Sequence, residues 1–135
     1  MEKMRVRISL SLQNKMKMID RKRVYEKYNG HGAYCGCKLE YKDMQVDHIL
    51  AKSNGGSDDI DNLNPSCRMC NYYKSCCDIE TFRGHWGIDG VIGRLREKFL
   101  FRLAERYGLI EIKKWDKKFY FEKVEGGRRH EEEKE

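Results

Sequence analysis

Long apolar runs are missing from this sequence. No stretch approaches the roughly 20 apolar residues that a membrane-spanning helix requires, and charged residues make up 37% of the chain. The opening residues, Met1 to Arg5, lead into no apolar signal-peptide segment, so we expect a cytoplasmic location. In that reducing compartment the six cysteines should stay as thiols. The alternative is a secreted protein held by disulfides, and counting the free thiols would decide between the two.

The length of 135 residues points to one domain with a small hydrophobic core. Small cores are often reinforced, and a structural metal ion is one common way. We predict an α+β fold in which residues 1–124 form the domain, with a motif core at 31–78. Residues 125–135 should form a charged, disordered tail.

Apolar spacing and turn residues predict the secondary structure of the chain. A stripe of Ile92, Leu95, Phe99 and Leu103 at helical spacing predicts one long helix. The predicted elements are, in chain order, a helix at 13–28, short strands within 39–46, a loop at 53–58, a helix from about 67 to 78, a long helix at 89–107 and a small hairpin of 109–114 and 118–122.

The net charge of +6 is distributed unevenly along the chain. Residues 1–48 and 81–124 are basic, whereas residues 49–80 are slightly acidic. Two basic flanks around an acidic centre favour a polyanionic partner such as DNA and a cation-binding centre. The alternative is that these charges only keep the protein soluble.

Two pairs of cysteines have the spacing of a metal site. Cys67 and Cys70, at a predicted helix start, can converge on one tetrahedral zinc ion. Cys35 and Cys37 supply the second pair, although their separation is tighter than usual, and His31 can replace Cys37 as the fourth ligand. The alternative is a set of reduced core cysteines without metal.

A second group of residues has the composition of a phosphodiesterase centre. Asp47 and Asn71 offer the oxygen ligands that Mg²⁺ or a similar divalent ion prefers. His48 can take a proton from water, because the pKa of an ordinary histidine lies near neutrality. Taken alone, an Asp-His pair is more often structural, but the neighbouring Asn62 and the Cys-x-x-Cys-Asn run favour catalysis.

These residues form one spaced pattern. It consists of Tyr34-Cys35-Gly36, Val46-Asp47-His48-Ile49, Gly55-Gly56, Asp61-Asn62-Leu63 and Cys67-x-x-Cys70-Asn71-x-x-Lys74. The pattern resembles that of the HNH endonucleases, and covers about 40 of the 135 residues. The resemblance implies a ββα-metal fold and hydrolysis of DNA that leaves 5′-phosphate and 3′-hydroxyl ends. Stand-alone proteins of this kind resemble those of phages and other mobile elements.

The resemblance also implies a role for each residue. His48 is expected to be the general base, with Asp47 and Asn71 as ligands of the catalytic metal. Asn62 is expected to fix the loop that orients His48, and Lys74 to lie near a phosphate or in solvent. Family members commonly carry a cysteine where this chain has Gly32, so Cys37 or His31 is expected to complete the zinc site.

Basic residues outside the motif are candidate DNA contacts. Arg94, Lys98, Arg102 and Arg106 recur every four residues along the predicted long helix and can form a phosphate-contacting ridge. The alternative is an ordinary solvated face. The sequence as a whole predicts a zinc-clipped, Mg²⁺-dependent DNA endonuclease. Its main rival is a zinc-stabilised nucleic-acid-binding module without hydrolytic activity.

Overall fold

The structure, a computed structural model, describes residues 19–86 and 90–133. Short helices surround one small antiparallel sheet, which is an α+β arrangement. The beginnings of two predicted helices, at 13–18 and at residue 89, lie outside the described residues. None of the described helices combines the length and the apolar character that crossing a bilayer requires.

The elements are named here in chain order. The helices are α1 (Arg21–Glu26), α2 (Arg68–Lys74), α3 (Ile79–Gly84), α4 (Val91–Arg96), α5 (Phe99–Arg106) and α6 (Tyr120–Glu133), and the strands are β1 (Gln45–His48) and β2 (Leu63–Ser66). Single 3-10 turns lie at Tyr41–Asp43, Lys52–Asn54 and Ile60–Asn62.

The sheet and α2 form a continuous unit in the middle of the chain. β1 pairs with β2 antiparallel, in a register that sets Asp47 opposite Asn64. The loop 49–62 connects the strands, and α2 begins directly after its N-cap, Cys67. Ser75 then adopts a φ of 53°, so α2 ends well before the predicted end near residue 78. Of the predicted strand region 39–46, only the last two residues are in β1.

Two small clusters of buried side chains hold this unit in place. Val24 from α1 and Leu63 from β2 meet in the first cluster, which packs α1 against the sheet. The second cluster is aromatic, and Phe82 of α3 stacks on Phe119 with ring centroids 5.1 Å apart. Tyr34 packs edge-on against both of those rings. The second cluster therefore joins the cysteine-rich loop, residues 31–37, to α3 and to the start of α6.

The single long helix predicted for 89–107 is wrong. The described part of this segment forms two helices, α4 and α5, because Lys98 adopts an extended conformation with ψ of 126°. Leu95, Phe99 and Leu103, predicted as a core stripe, are 38%, 67% and 37% exposed. An apolar stripe that does not pack against a core does not keep a helix continuous, since most helical stability in proteins comes from burying that apolar face.

The predicted C-terminal hairpin is also wrong. Residues 110–118 form no strand, and α6 starts at Tyr120 and continues to Glu133, through the segment predicted as a disordered tail. The first turn of α6 is capped by the rest of the fold. The amide of Tyr120 donates to the Tyr34 carbonyl at 3.1 Å, and the amide of Phe121 donates to the Ala33 carbonyl at 2.7 Å. These acceptors satisfy amides that a helix start leaves unpaired.

Candidate active site

The strands and α2 bring three predicted catalytic residues to one cleft. Asp47 and His48 end β1, and Asn71 lies on α2, which packs against that strand. The cleft has a volume of about 310 Å³. Its walls are formed by Val46, Asp47, His48, Ala51, Lys52, Asn71, Ser75 and Cys76. Residues 47, 48 and 71 therefore share one space, as binding of a single ion would require.

Asp47 lies at the closed end of this arrangement and is only 4% exposed. Its Oδ2 accepts a hydrogen bond from the hydroxyl of Tyr34 and an ion pair from Lys74 Nζ at 3.1 Å. Burial raises the pKa of the Asp47 carboxyl, while the Tyr34 hydroxyl and the Lys74 ammonium act in the opposite direction. Oδ1 is less engaged, since Lys74 reaches it only at 3.4 Å. Oδ1 is thus the oxygen left for a ligand in the cleft.

Lys74 has a different environment from the one predicted for it. Its side chain is completely buried, and Nζ donates to the carbonyl of His48 at 3.0 Å in addition to pairing with Asp47. A fully buried ammonium cannot touch a DNA phosphate, so the predicted phosphate contact is wrong. Lys74 instead neutralises Asp47 and ties the end of β1 to α2.

The imidazole of His48 is held by an acid that the sequence reading did not single out. His48 Nε2 lies 2.8 Å from Asp58 Oδ1, and the other oxygen of Asp58 lies 2.8 Å from Lys52 Nζ. Hydrogen bonds from Lys52 and His48 hold the pKa of the half-buried Asp58 carboxyl below its usual range. A carboxylate accepts and does not donate, so Nε2 carries the proton and Nδ1 is left as the acceptor. Asp58 lies at the end of the segment 53–58, whose glycines predicted a loop and gave no indication of a functional acid.

Asn62 fastens the loop between the strands. Its Nδ2 donates to the carbonyls of Leu50 and Ser57 at 3.0 and 2.8 Å, and its Oδ1 accepts from the Leu50 amide at 2.9 Å. The main-chain carbonyl of Asn62 also accepts from the Ile49 amide at 2.8 Å. The loop that carries Asp58 is thereby closed against the end of β1. This is the geometry that the predicted orienting role of Asn62 requires, and its part in catalysis remains a prediction.

The predicted thiol ligands meet at the N-terminus of α2. The sulfur atoms of Cys35, Cys37 and Cys67 all lie within 4.8 Å of one another. Cys35 Sγ and Cys67 Sγ are 3.8 Å apart, and a tetrahedral zinc with Zn–S bonds of about 2.3 Å has a sulfur–sulfur edge of about 3.8 Å. Cys70 is not one of these three, but its backbone amide donates to Cys67 Sγ at 3.4 Å, which puts it next to the group. Three of the four predicted sulfurs therefore have the spacing of a zinc site, and ligation by Cys70 stays a prediction.

Of the two candidates for the fourth ligand, Cys37 lies within the thiol group and His31 does not. A Cβ built on Gly32 would lie 3.4 Å from Cys37 Sγ and 3.8 Å from Cys35 Sγ. Gly32 thus lies beside the thiol group, where a Cβ would make ordinary van der Waals contact with both sulfurs. His31 lies outside the group, with Nδ1 3.2 Å from the Tyr28 carbonyl and its ring against Tyr120.

The thiols differ in how readily they lose their protons. Burial acts to raise the pKa of Cys35, but hydrogen bonds from its cysteine neighbours outweigh it, and the net effect lowers the pKa. Burial and the neighbouring thiols raise the pKa of Cys37 to about 12 and raise that of Cys70 as well. Thiols packed this closely cannot all ionise together, because their negative charges repel one another. A bound cation offsets that repulsion and stabilises the thiolates that metal ligation requires.

The predicted basic ridge does not lie along one helix. Arg94 belongs to α4, Lys98 is the extended residue between the helices, and Arg102 belongs to α5. All three side chains are exposed. Because the helix is interrupted at Lys98, the four-residue repeat no longer places these side chains along one helix face. A DNA contact at any of these residues stays a prediction.

Comparison with known proteins identifies the central segment. The family model of HNH endonucleases matches residues 33–75. Among solved structures, the chain is similar to the Type II-C Cas9 enzyme from Actinomyces naeslundii, with 26% identity and a TM-score of 0.44. That similarity covers 71% of this chain and 13% of the Cas9 chain. No curated protein matches the chain.

Proposed function

We propose that the protein is a metal-dependent endonuclease that hydrolyses phosphodiester bonds of DNA, a proposal supported by the match of residues 33–75 to the family model of HNH endonucleases. The observation that carries the proposal is the shared cleft, which is lined by Asp47 and His48 of β1 and by Asn71 of α2. The order β1, β2, α2 is that of a ββα-metal centre, with the thiol group at the start of its helix.

The chain offers a donor set for one divalent ion in the cleft. Asp47 Oδ1 and the side-chain oxygen of Asn71 are the hard oxygen ligands that Mg²⁺ prefers, and such an ion keeps several of its waters. When bound there, Mg²⁺ or a similar ion supplies positive charge that stabilises the phosphate and the departing oxygen. Lys74 weakens the attraction of this site for a cation, because its buried ammonium already neutralises the Asp47 carboxylate.

His48 is the residue that moves the proton. Asp58 holds Nε2–H, so Nδ1 is the nitrogen that accepts a proton from the attacking water. The water oxygen forms a bond to phosphorus, the bond from phosphorus to the 3′ oxygen breaks, and that oxygen leaves to be protonated by solvent. Asn62 keeps the loop closed, so Asp58 holds the imidazole in one orientation while the proton is transferred.

DNA contacts beside the cleft are supplied by the outer face of α2. Tyr72 is 84% exposed and Met69 75% exposed, and both flank Asn71 on this short helix. An exposed aromatic ring next to the catalytic cleft suits contact with a sugar or a base. The neighbouring Tyr73 packs against Phe82 and Trp86, so only one of the two tyrosines is available.

The rival function is a zinc-stabilised nucleic-acid-binding module without hydrolysis. One observation favours it, since the carboxylate proposed as a metal ligand is nearly buried and already paired with Lys74. Under this alternative the Asp47–Lys74 pair would serve only to join the strand to the helix. Binding of DNA would then be seen without cleavage under any metal condition.

A plasmid assay distinguishes the two functions. Supercoiled plasmid is incubated with zinc-loaded wild type, His48→Ala and His31→Ala, first without divalent metal and then with Mg²⁺ or Mn²⁺ added. We expect nicked or linear product only with added metal, loss of product in His48→Ala, and normal product in His31→Ala, which removes a half-buried histidine outside the cleft. DNA binding without cleavage by wild type would establish the rival, and cleavage by His48→Ala would remove His48 from the mechanism.

A further inference from the structure

A second and larger depression shares no lining residue with the cleft. This groove has a volume of about 950 Å³, which is in the range of about 300–1,000 Å³ typical of ligand sites. Trp86, Trp115 and Phe119 line it, together with Cys35 and Cys70. The chain contains only two tryptophans, and both are in this groove.

The rim of the groove carries uncompensated positive charge. Lys113, Lys114 and Lys117 line it and are exposed, and within the described residues no ion pair joins any of them to an acid. The two arginines of the lining are already engaged, Arg83 with Glu122 and Glu80 and Arg96 with Glu105. Glu80 is the one acid among the lining residues. The groove therefore combines aromatic walls with free ammonium groups.

We propose that this groove binds a segment of single-stranded nucleic acid. Bases present flat aromatic faces to Trp86 and Trp115, and the backbone phosphates meet the three lysines; stacking platforms beside a basic track are how single strands are bound without sequence preference. A duplex does not suit the groove, because its bases are already stacked and paired. An acidic peptide would use the lysines but would leave the two indoles without bases to stack on.

The groove and the catalytic cleft are separate but adjacent. Tyr34 lines the groove, and its hydroxyl donates to Asp47, which lines the cleft. A strand in the groove thus lies one side chain away from the proposed catalytic residues and does not occupy their place. The proposal does not depend on hydrolysis, since binding is measured without divalent metal and with the cleft unchanged.

Intrinsic tryptophan fluorescence tests the groove directly. Zinc-loaded wild type is titrated with a ten-nucleotide oligothymidylate in buffer without divalent metal, while the anisotropy of a labelled copy reports binding independently. We expect saturable quenching that follows the anisotropy curve, and an affinity that falls as salt is raised. Anisotropy that rises without quenching would place the strand elsewhere and overturn the proposal.

Matched charge reversals then assign the site. Lys113→Glu combined with Lys114→Glu should weaken oligothymidylate binding by about tenfold or more, since two phosphate contacts are lost and repulsion is added. Lys38→Glu combined with Lys42→Glu makes the same change in net charge at exposed residues outside the groove and should leave affinity within about twofold. Equal losses in both double variants, or quenching by an acidic tyrosine-containing peptide but not by the oligonucleotide, would overturn the proposal.

Discussion

The imidazole of His48 and the carboxylate of Asp58 lie 2.8 Å apart, although Asp58 follows His48 by ten positions and belongs to the loop between the strands. This contact selects the ring nitrogen that carries the proton, because the carboxylate can only accept. Lys52 holds the second oxygen of Asp58 at 2.8 Å, so the acid has little freedom to turn away. The arrangement makes Asp58 a positioning residue for the proposed general base.

Replacement of Asp58 by Asn should therefore lower the cleavage rate without loss of fold. We expect the turnover rate to fall by about 10- to 100-fold, the usual cost of disturbing a group that orients a catalytic side chain, with KM for plasmid nearly unchanged. The control is Asp59→Asn, at the exposed neighbouring acid whose carboxylate contacts only Ser57 in the described structure. Equal rates in the two variants would show that Asp58 does not position His48.

The buried pair of Asp47 and Lys74 gives a prediction for stability. Lys74→Met should reduce the free energy of unfolding by about 3–5 kcal/mol, because it leaves a buried carboxylate without its counter-charge. Adding Asp47→Asn in the same chain should restore part of that loss, since both charges are then absent. Urea denaturation of wild type, both single variants and the double variant gives the coupling energy. Additive effects would show that the pair is not coupled.

The same variants separate a buried lysine from a DNA contact. A phosphate-binding lysine contributes about one to the slope of binding against salt, so its loss would flatten that slope. We expect the Asp47→Asn and Lys74→Met double variant to bind duplex DNA with the wild-type salt slope, measured by anisotropy in the absence of divalent metal. A reduced slope would mean that Lys74 reaches a phosphate after all.

The sequence predicted the central unit better than the periphery. Asp47, His48 and Asn71 could be brought together from the motif and its resemblance to HNH endonucleases, because that resemblance implies a hairpin followed by a helix that returns Asn71 to the strand. Lys74 could not be placed, since helical spacing does not reveal whether a lysine turns toward solvent or toward a buried acid. Asp58 was missed because hydrogen bonds across a loop leave no periodic signal.

The periphery failed for a different physical reason. The stripe at 92–103 and the alternation at 109–122 are real patterns, but Leu95, Phe99 and Leu103 stay exposed in the described structure. Phe119 is buried in the aromatic cluster just before α6 instead of in a hairpin. The contact that caps the start of α6 was not readable either. Glu122 stands three residues after Phe119 and accepts from the Phe119 amide at 3.1 Å, which is half of a capping box, but Phe119 lacks the side-chain oxygen that the other half requires.

The choice of Cys37 as the fourth thiol gives a prediction for metal content. Loss of a residue that only hydrogen-bonds to a metal ligand typically lowers metal affinity by roughly 10- to 100-fold, so Cys37→Ser, which removes a ligand, should lower zinc affinity by more than that. It should also lower the melting temperature, because structural zinc contributes folding energy. His31→Ala should keep the wild-type zinc content, and so should Cys76→Ser at an exposed thiol outside the group. Zinc content is measured by elemental analysis after gel filtration, and affinity by competition with a chromophoric chelator. Zinc loss in His31→Ala with retention in Cys37→Ser would reverse the assignment.

An ion pair between α3 and α6 adds to their aromatic packing and gives the stability a pH dependence. Arg83 binds Glu122 at 2.6 Å. Burial acts to raise the pKa of Glu122, but the Arg83 guanidinium and the Phe119 amide outweigh it, so the folded pKa lies below the ordinary value. A lowered acid pKa means that the stabilisation is complete above the unfolded value, about 4.3, and is lost as pH falls through the folded value.

Glu122→Gln should accordingly lower the free energy of unfolding by about 1 kcal/mol at neutral pH, a modest figure because both side chains are partly exposed. The difference from wild type should be constant between about pH 7 and 5, and should shrink below the ordinary glutamate pKa of about 4.3. Glu111→Gln, at an exposed acid in the segment before α6, controls for the change in net charge. Urea denaturation at several pH values measures both. If the difference in unfolding free energy between wild type and Glu122→Gln grew as pH fell, the fold would disfavour ionised Glu122. The ion pair with Arg83 would then not stabilise the contact between α6 and α3.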